Sequence, residues 1–345
     1  MIETLSKVFS SLLILQLGFV LPVGFLHSYF ERKIGADLQA RVGPNRVGPL
    51  GLFQGIADQL KLLQKVSPEL KTPQLALWPA LQLAALHAAM VTVPIAPHLL
   101  MTITGLSILL PLWCILMVSV CSLLLGVNSR EFTGWLAGLR SAFQAISGFL
   151  PAMISLISVG LSAGGFQWSN LLSPHDSSMG TWLMFREPFL FVSFLIFLAS
   201  GMVILSLPPF DSTASGPDLR GGLGTLFSGR RSSLSVIIKF YGVLVWCVLT
   251  VGLFMGGWAL PGFLSSVLVA VLGEGAANTF AYQAIQVFLV GLKTLSLMMV
   301  LGVVGRVMPR IRFDQVADFS WRALGPISLV CLMGSALLKA GGISP

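Results

Sequence analysis

The chain has 345 residues, of which 55% are hydrophobic and 10% charged, and its mean hydropathy is +0.88. A soluble domain carries roughly a quarter charged residues, so a water-soluble globular fold is excluded. The net charge of +8 is compatible with nucleic-acid binding, but the basic residues stand between apolar runs and are markers of membrane topology instead.

Charge-free apolar runs of about 20 residues recur down the chain, each long enough to cross roughly 30 Å of hydrocarbon. Breaks at charges, glycines and prolines predict spans near 8–30, 74–97, 102–126, 141–163, 189–207, 234–256, 284–305 and 323–341. The expected fold is all-α: a polytopic membrane protein of about eight transmembrane helices, read as one integral membrane domain over 1–345. The first run is followed by Glu31-Arg32-Lys33 without a small-residue cleavage site, so it reads as a retained span rather than a signal peptide.

After it comes a long loop, Glu31 to Thr72, whose Gly43-Pro44-Asn45 and Gly48-Pro49 force turns. Between Gly51 and Lys65, Leu52, Phe53, Ile56, Ala57, Leu60 and Leu63 share one helical face opposite Gln54, Asp58, Lys61 and Lys65. This predicts an amphipathic helix lying at the membrane surface, either a plain interfacial anchor or the floor of a portal for an amphiphilic ligand. A second polar loop, Ser206 to Ser232, holds Pro208-Pro209-Phe210-Asp211, Asp218-Leu219-Arg220 and Gly229-Arg230-Arg231, and reads as a docking loop or a solvated connector. Between spans six and seven, Gly262 to Leu272 is apolar but too short to cross, which makes it interfacial or re-entrant. Alternate loops collect sixteen of the 21 Lys and Arg residues, so these loops face the cytoplasm or matrix and both termini face the other side.

Within the spans, Lys239 and Lys293 are the notable charges, because a membrane-buried lysine costs several kcal/mol unless paired or hydrated. Both are therefore functional candidates by default, whereas His87 reads as a structural histidine. No Asp or Glu falls in mid-span, and Glu187 reads as a loop residue. Cys114, Cys121, Cys247 and Cys331 lie in apolar stretches without ligand spacing, so no metal site and no cofactor bound by this chain alone is expected.

Several motifs resemble one family in the same order along the chain. They are Glu31-Arg32-Lys33, the run from Arg41 to Leu52, Ala57-Asp58-Gln59-Leu60-Lys61-Leu62, Gly138-Leu139-Arg140-Ser141-Ala142-Phe143-Gln144, Pro209-Phe210-Asp211, Gly256-Gly257-Trp258 and Pro309 to Gln315. Together they resemble the complex I membrane-subunit family whose mitochondrial representative is NADH dehydrogenase subunit 1. The resemblance implies a membrane subunit of an NADH:quinone oxidoreductase (translocase) that roots the peripheral redox arm and forms the membrane side of a quinone tunnel. It implies quinone as substrate at the subunit interface, FMN and iron-sulfur clusters in partner subunits, and no catalytic redox centre in this chain. Partners would be the peripheral-arm iron-sulfur and quinone-site subunits, other membrane subunits and lipid, in a bacterial inner or mitochondrial inner membrane. A quinone-chamber or arm-docking role is carried over to Glu31, Arg32, Arg41, Asp58, Lys61, Phe210, Asp211, Asp218 and Arg310.

The departures from the family pattern concern its acidic residues. Three glutamates of the third cytoplasmic loop fall at Ile204, Ala214 and Gly216, and the fourth at Asp218. A Tyr-Glu pair of span four falls at Gly148-Phe149, and a glutamate of span six at Lys239. The acidic route that carries protons in the family is thus expected to be largely lost. Two other readings compete: the membrane anchor of an energy-converting hydrogenase or formate hydrogenlyase, and an independent transporter. The Gly43 to Pro49 segment favours the complex I type, and the lack of a visible repeat argues against the transporter.

Overall fold

The computed structural model describes residues 16–66, 73–95, 108–172, 182–211, 222–227, 229–259 and 280–341. Its main helices are α1 (Leu21–Leu38), α2 (Gln54–Gln64), α3 (Leu77–Thr92), α4 (Leu109–Asn128), α5 (Phe132–Ala163), α6 (Pro188–Ile204), α7 (Arg230–Phe254), α8 (Phe280–Val307), α9 (Phe313–Asp318) and α10 (Gly325–Ala340). No strand occurs among the described residues. Each expected span is met by a helix: α1, α3 to α8, and α10. Four of these, α4, α5, α7 and α8, are long and apolar enough to cross a membrane, as is the stretch Phe313–Ala340; α3 and α6 are shorter apolar helices. The protein is an all-α, multi-pass membrane protein.

Helices are the only open-ended way to satisfy every backbone polar group in hydrocarbon, which is why each apolar run takes this form. Their burial ranks them. Along α7 every residue from Tyr241 to Phe254 is buried, so this helix forms the axis of the bundle. Trp246 of α7 stacks on Phe197 of α6 with centroids 4.5 Å apart, and Phe254 packs on Phe194 and Phe197. By contrast, α4 and α10 keep large apolar side chains such as Trp113, Met117, Val330, Met333 and Leu337 on the outer surface, where lipid or a neighbour replaces protein.

Two boundaries differ from the sequence expectation. Helix α1 does not stop at the charged triplet but runs to Leu38, carrying Glu31, Arg32 and Lys33 on its last turns. Charges end a hydropathy run, whereas only backbone chemistry ends a helix, and none intervenes before Ala40 turns to φ 51°. For the same reason α5 begins at Phe132, nine residues before the expected span, and is 32 residues long. The apolar stretch Gly262 to Leu272 and Asp218 lie outside the described residues.

The amphipathic segment forms helix α2 after a tight turn at Pro49–Gly51. Gly51 has φ +83°, and a Cβ there would collide with the backbone of Pro44 and Asn45, so the turn requires glycine. No residue of α2 is buried, and Leu52, Phe53, Leu60 and Leu63 are exposed. An uncovered apolar face on a helix at the end of the bundle is the geometry of a surface-lying helix. Polar contacts fix it to the start of α7: Arg230 Nε donates to the Leu63 carbonyl at 2.9 Å, and Ser233 Oγ donates to Gln59 Oε1 at 2.6 Å.

Candidate functional site: a charged cavity at one end of the bundle

The loops richest in basic residues meet at one end of the molecule. Arg306, at the end of α8, pairs with Glu31 of α1 at 3.0 Å. Arg310 pairs with Asp211 at 3.4 Å, and the Ile311 amide donates to the Pro209 carbonyl at 3.0 Å. The Gln144 side chain of α5 donates to the carbonyls of Val203 and Phe210, at 3.0 and 2.6 Å, and so pins the segment that follows α6. Phe210 stacks on Phe319 at 5.8 Å.

Between these elements lies a cavity of about 480 Å³, lined by His27, Glu31, Gln39, Leu207, Pro208, Lys239, Phe240, Val243, Met298, Leu301, Gly302, Gly305, Arg306, Met308 and Arg310. Its wall is apolar along α7 and α8 and charged at one end. Glu31 is held by two cations or potential cations, Arg306 and, at 4.0 Å, His27 one helical turn earlier. Gly35 makes the first contact possible: a Cβ at that position would collide with the Arg306 guanidinium, which lies across α1 there. An apolar pocket with few polar groups gathered at one end suits an amphiphile with a flat polar head and an apolar tail.

A neighbouring cleft of about 400 Å³ opens between Arg32, Arg41, Val42, Gly43, Pro44, Gln54 and Arg306. Arg32 forms an ion pair with Asp58 of α2, and Gln54 donates to the other oxygen of that carboxylate at 2.8 Å. Among the described residues the Arg41 guanidinium bonds only the side chain of Gln39, donating to Oε1 at 2.8 Å, and it remains exposed. The cleft therefore presents net positive charge.

The structure thus brings together Glu31, Arg32, Arg41, Asp58, Phe210, Asp211 and Arg310, and places Lys239 on the cavity wall. Lys61 is exposed on α2 and lines neither space. Sequence reasoning gives Arg306, Gly35 and Gln144 no role of their own. Arg306 leaves a trace as one more basic loop residue and Gln144 as the end of the motif from Gly138; His27 can be found from its i, i+4 spacing to Glu31.

The two intramembrane lysines have different surroundings. Lys239 is not buried: it is exposed to the cavities it lines and makes no hydrogen bond or ion pair with described residues. Lys293 is held as a clamp. Its ammonium donates to the carbonyls of Met255 and Gly257 at 3.0 Å and of Ala259 at 3.4 Å, and lies 4.6 Å from the ring centre of Trp182. It thereby ties down the turn that follows α7. Replacing Lys293 by Met is expected to destabilise the protein by about 3 kcal/mol, the worth of one or two charge-assisted hydrogen bonds, seen as a lower midpoint of thermal unfolding in detergent. An unchanged midpoint would contradict the clamp.

His87 is structural as expected, since its Nδ1 faces Gln16 Nε2 and the Tyr241 hydroxyl, joining three elements. Glu187 lies between helices as expected, just before α6, but is only 3% exposed, and Ser162 Oγ donates to its Oε1 at 3.1 Å.

The family model described as NADH dehydrogenase matches residues 10–336, nearly the whole chain.

Proposed function

Because the chain belongs to the NADH dehydrogenase family and is a membrane subunit of a complex I type enzyme, we propose that its charged cavity is the membrane side of the quinone chamber. The observation that carries this reading is the cavity itself, apolar along α7 and α8 and ringed at one end by Glu31, Lys239, Arg306 and Arg310. A quinone tail is stabilised by the apolar walls, and its carbonyl oxygens accept hydrogen bonds from the cationic end. The uncovered apolar face of α2 supports passage of the tail from the membrane beside this helix.

The positive cleft between Arg32, Arg41 and Arg306 supports anchoring of the peripheral arm, whose iron-sulfur subunits would deliver electrons to the bound quinone. In this reading the chain seats the substrate and the arm and holds no redox centre. The acidic route of the family is interrupted in this chain at Gly148, Phe149, Ile204 and Lys239, so we further propose that proton coupling through it is weakened or lost.

Gly302 offers a direct test. A Cβ there meets nothing closer than Glu31 Cγ at 3.8 Å, so Gly302→Leu projects into the cavity without disturbing the helix. NADH:quinone reduction by the purified complex is expected to fall by about tenfold or more, equivalent to at least ~1.4 kcal/mol of lost binding or barrier lowering. NADH oxidation by ferricyanide, which takes electrons upstream of quinone, should be unaffected. Equal loss of both activities would point to misassembly, and full retention of quinone reduction would refute the chamber.

A further inference from the structure

Beyond the quinone chamber, on the other side of Lys239, lies a second cavity of about 270 Å³, enclosed by α3, α4, α5, α6, α7 and the turn Leu223–Leu226. Its lining contains one charged group, Lys239, and no acidic residue among those described. Of the five serines in its lining, three come from three separate elements: Ser119 of α4, Ser141 of α5 and Ser206 just beyond α6. They are 6%, 8% and 7% exposed, and none of their hydroxyls has a hydrogen-bond partner among the described residues. Nearby Gln82 and Ser122, by contrast, are satisfied: the amide of Gln82 donates to Ser122 Oγ at 2.8 Å, and Ser122 donates to the Val118 carbonyl at 3.0 Å. Among the described residues the cavity thus holds three unused O–H donors and an ammonium without a counter-charge.

We infer that this cavity is a binding site for a small monovalent anion of the halide class, held by the Lys239 ammonium and the hydroxyls of Ser119, Ser141 and Ser206. The free groups decide the sign of the ligand. A cation would meet Lys239 with no carboxylate among the described lining residues to offset it, whereas an anion accepts from ammonium and hydroxyl groups alike. The Lys239 ammonium has no hydrogen-bond or ion-pair partner among the described residues, and one negative charge balances it. A monovalent ion fits that balance better than a phosphate dianion, which would exchange one uncompensated charge for another. Lys239 also lines the first cavity, but the carboxylate there, Glu31, is already engaged by Arg306.

The test is binding of radiolabelled chloride to the intact detergent-purified complex, at constant ionic strength with gluconate as the replacing anion. Native complex should show saturable binding, and Lys239→Gln should weaken it roughly ten- to hundred-fold, the value of one charge-assisted hydrogen bond. Ser141→Ala should weaken it roughly three- to tenfold while leaving the lysine in place, so the two variants guard against a single failure of folding. The same measurement in complex exchanged into a galactolipid free of phosphate separates the two sources of negative charge. Chloride binding that emerges only after phospholipid is removed would assign the site to a lipid phosphate and overturn the halide. Absence of saturable binding, or binding indifferent to both substitutions, would show that the cavity holds only water. Because the readout is anion binding and not electron transfer, it is independent of whether the first cavity holds quinone.

Discussion

Replacing Arg32 and Arg41 together by Glu is expected to strip the hydrophilic subunits from the detergent-purified complex and to reduce NADH:quinone activity by about tenfold or more. Both residues line the cleft of about 400 Å³ beside the cavity, and among the described residues the Arg41 side chain has only Gln39 as a hydrogen-bond partner. Reversing two charges turns attraction for an acidic partner into repulsion, and interfacial charges act chiefly on register and specificity, where like-charge contacts cost several kcal/mol. Arg32 carries a complication, since it pairs with Asp58 and its reversal would also set two carboxylates against each other. The charge swap Arg32→Glu with Asp58→Arg resolves this. It rebuilds the local pair while moving the positive charge from α1 to α2, so assembly that stays lost in the swap marks Arg32 as a docking residue. Assembly fully restored by the swap would make it a local strut. A stable, active complex carrying both reversals would remove docking from the cleft altogether.

The dependence of Arg32 on Asp58 shows where sequence reading stops. The spans are legible because bilayer thickness and backbone hydrogen bonding leave an apolar run one outcome, and every expected span has its helix. The surface helix α2 is legible from its periodicity for the same kind of reason. Helix ends are not, because hydropathy reports where lipid ends: α1 continues past Glu31 to Leu38, and α5 starts at Phe132. Most of the charged site residues are found from motifs, but their pairing is not, since Glu31 and Arg306 are 275 residues apart. The partners of Lys293 are not legible either, because they are backbone carbonyls, which leave no mark in a sequence. For Lys239 the expected burial follows from the apolar run along one helix, whereas the side chain is exposed beside cavities between helices.

That cavity position leads to the second large effect expected, which is an absence. Lys239→Glu is expected to leave the number of protons moved per NADH oxidised unchanged in reconstituted vesicles, even though it restores the acidic group found there in the family. The reason lies in what surrounds it. Ile204, at another position where the family carries a glutamate, lines the same second cavity as Lys239. Gly148 lies against it, so that a Cβ at 148 would stand 3.0 Å from Ile204 Cγ1, and Phe149 packs on Trp113 at 5.2 Å. In the proposed reading the family's acidic positions would thus meet along a wall of Ile, Gly and Phe that can neither accept nor release a proton. A relay through a membrane needs titratable or hydrated groups within hydrogen-bond reach at each step, and one carboxylate supplies a single step. The double replacement Lys239→Glu with Ile204→Glu bridges the adjacent gap and is the variant in which the ratio should begin to rise. If Lys239→Glu alone raises the ratio, the wall is not a barrier. If the native complex already pumps with the stoichiometry of an acid-rich relative and Lys239→Ala leaves it there, proton coupling runs by a route that avoids both Lys239 and the lost carboxylates.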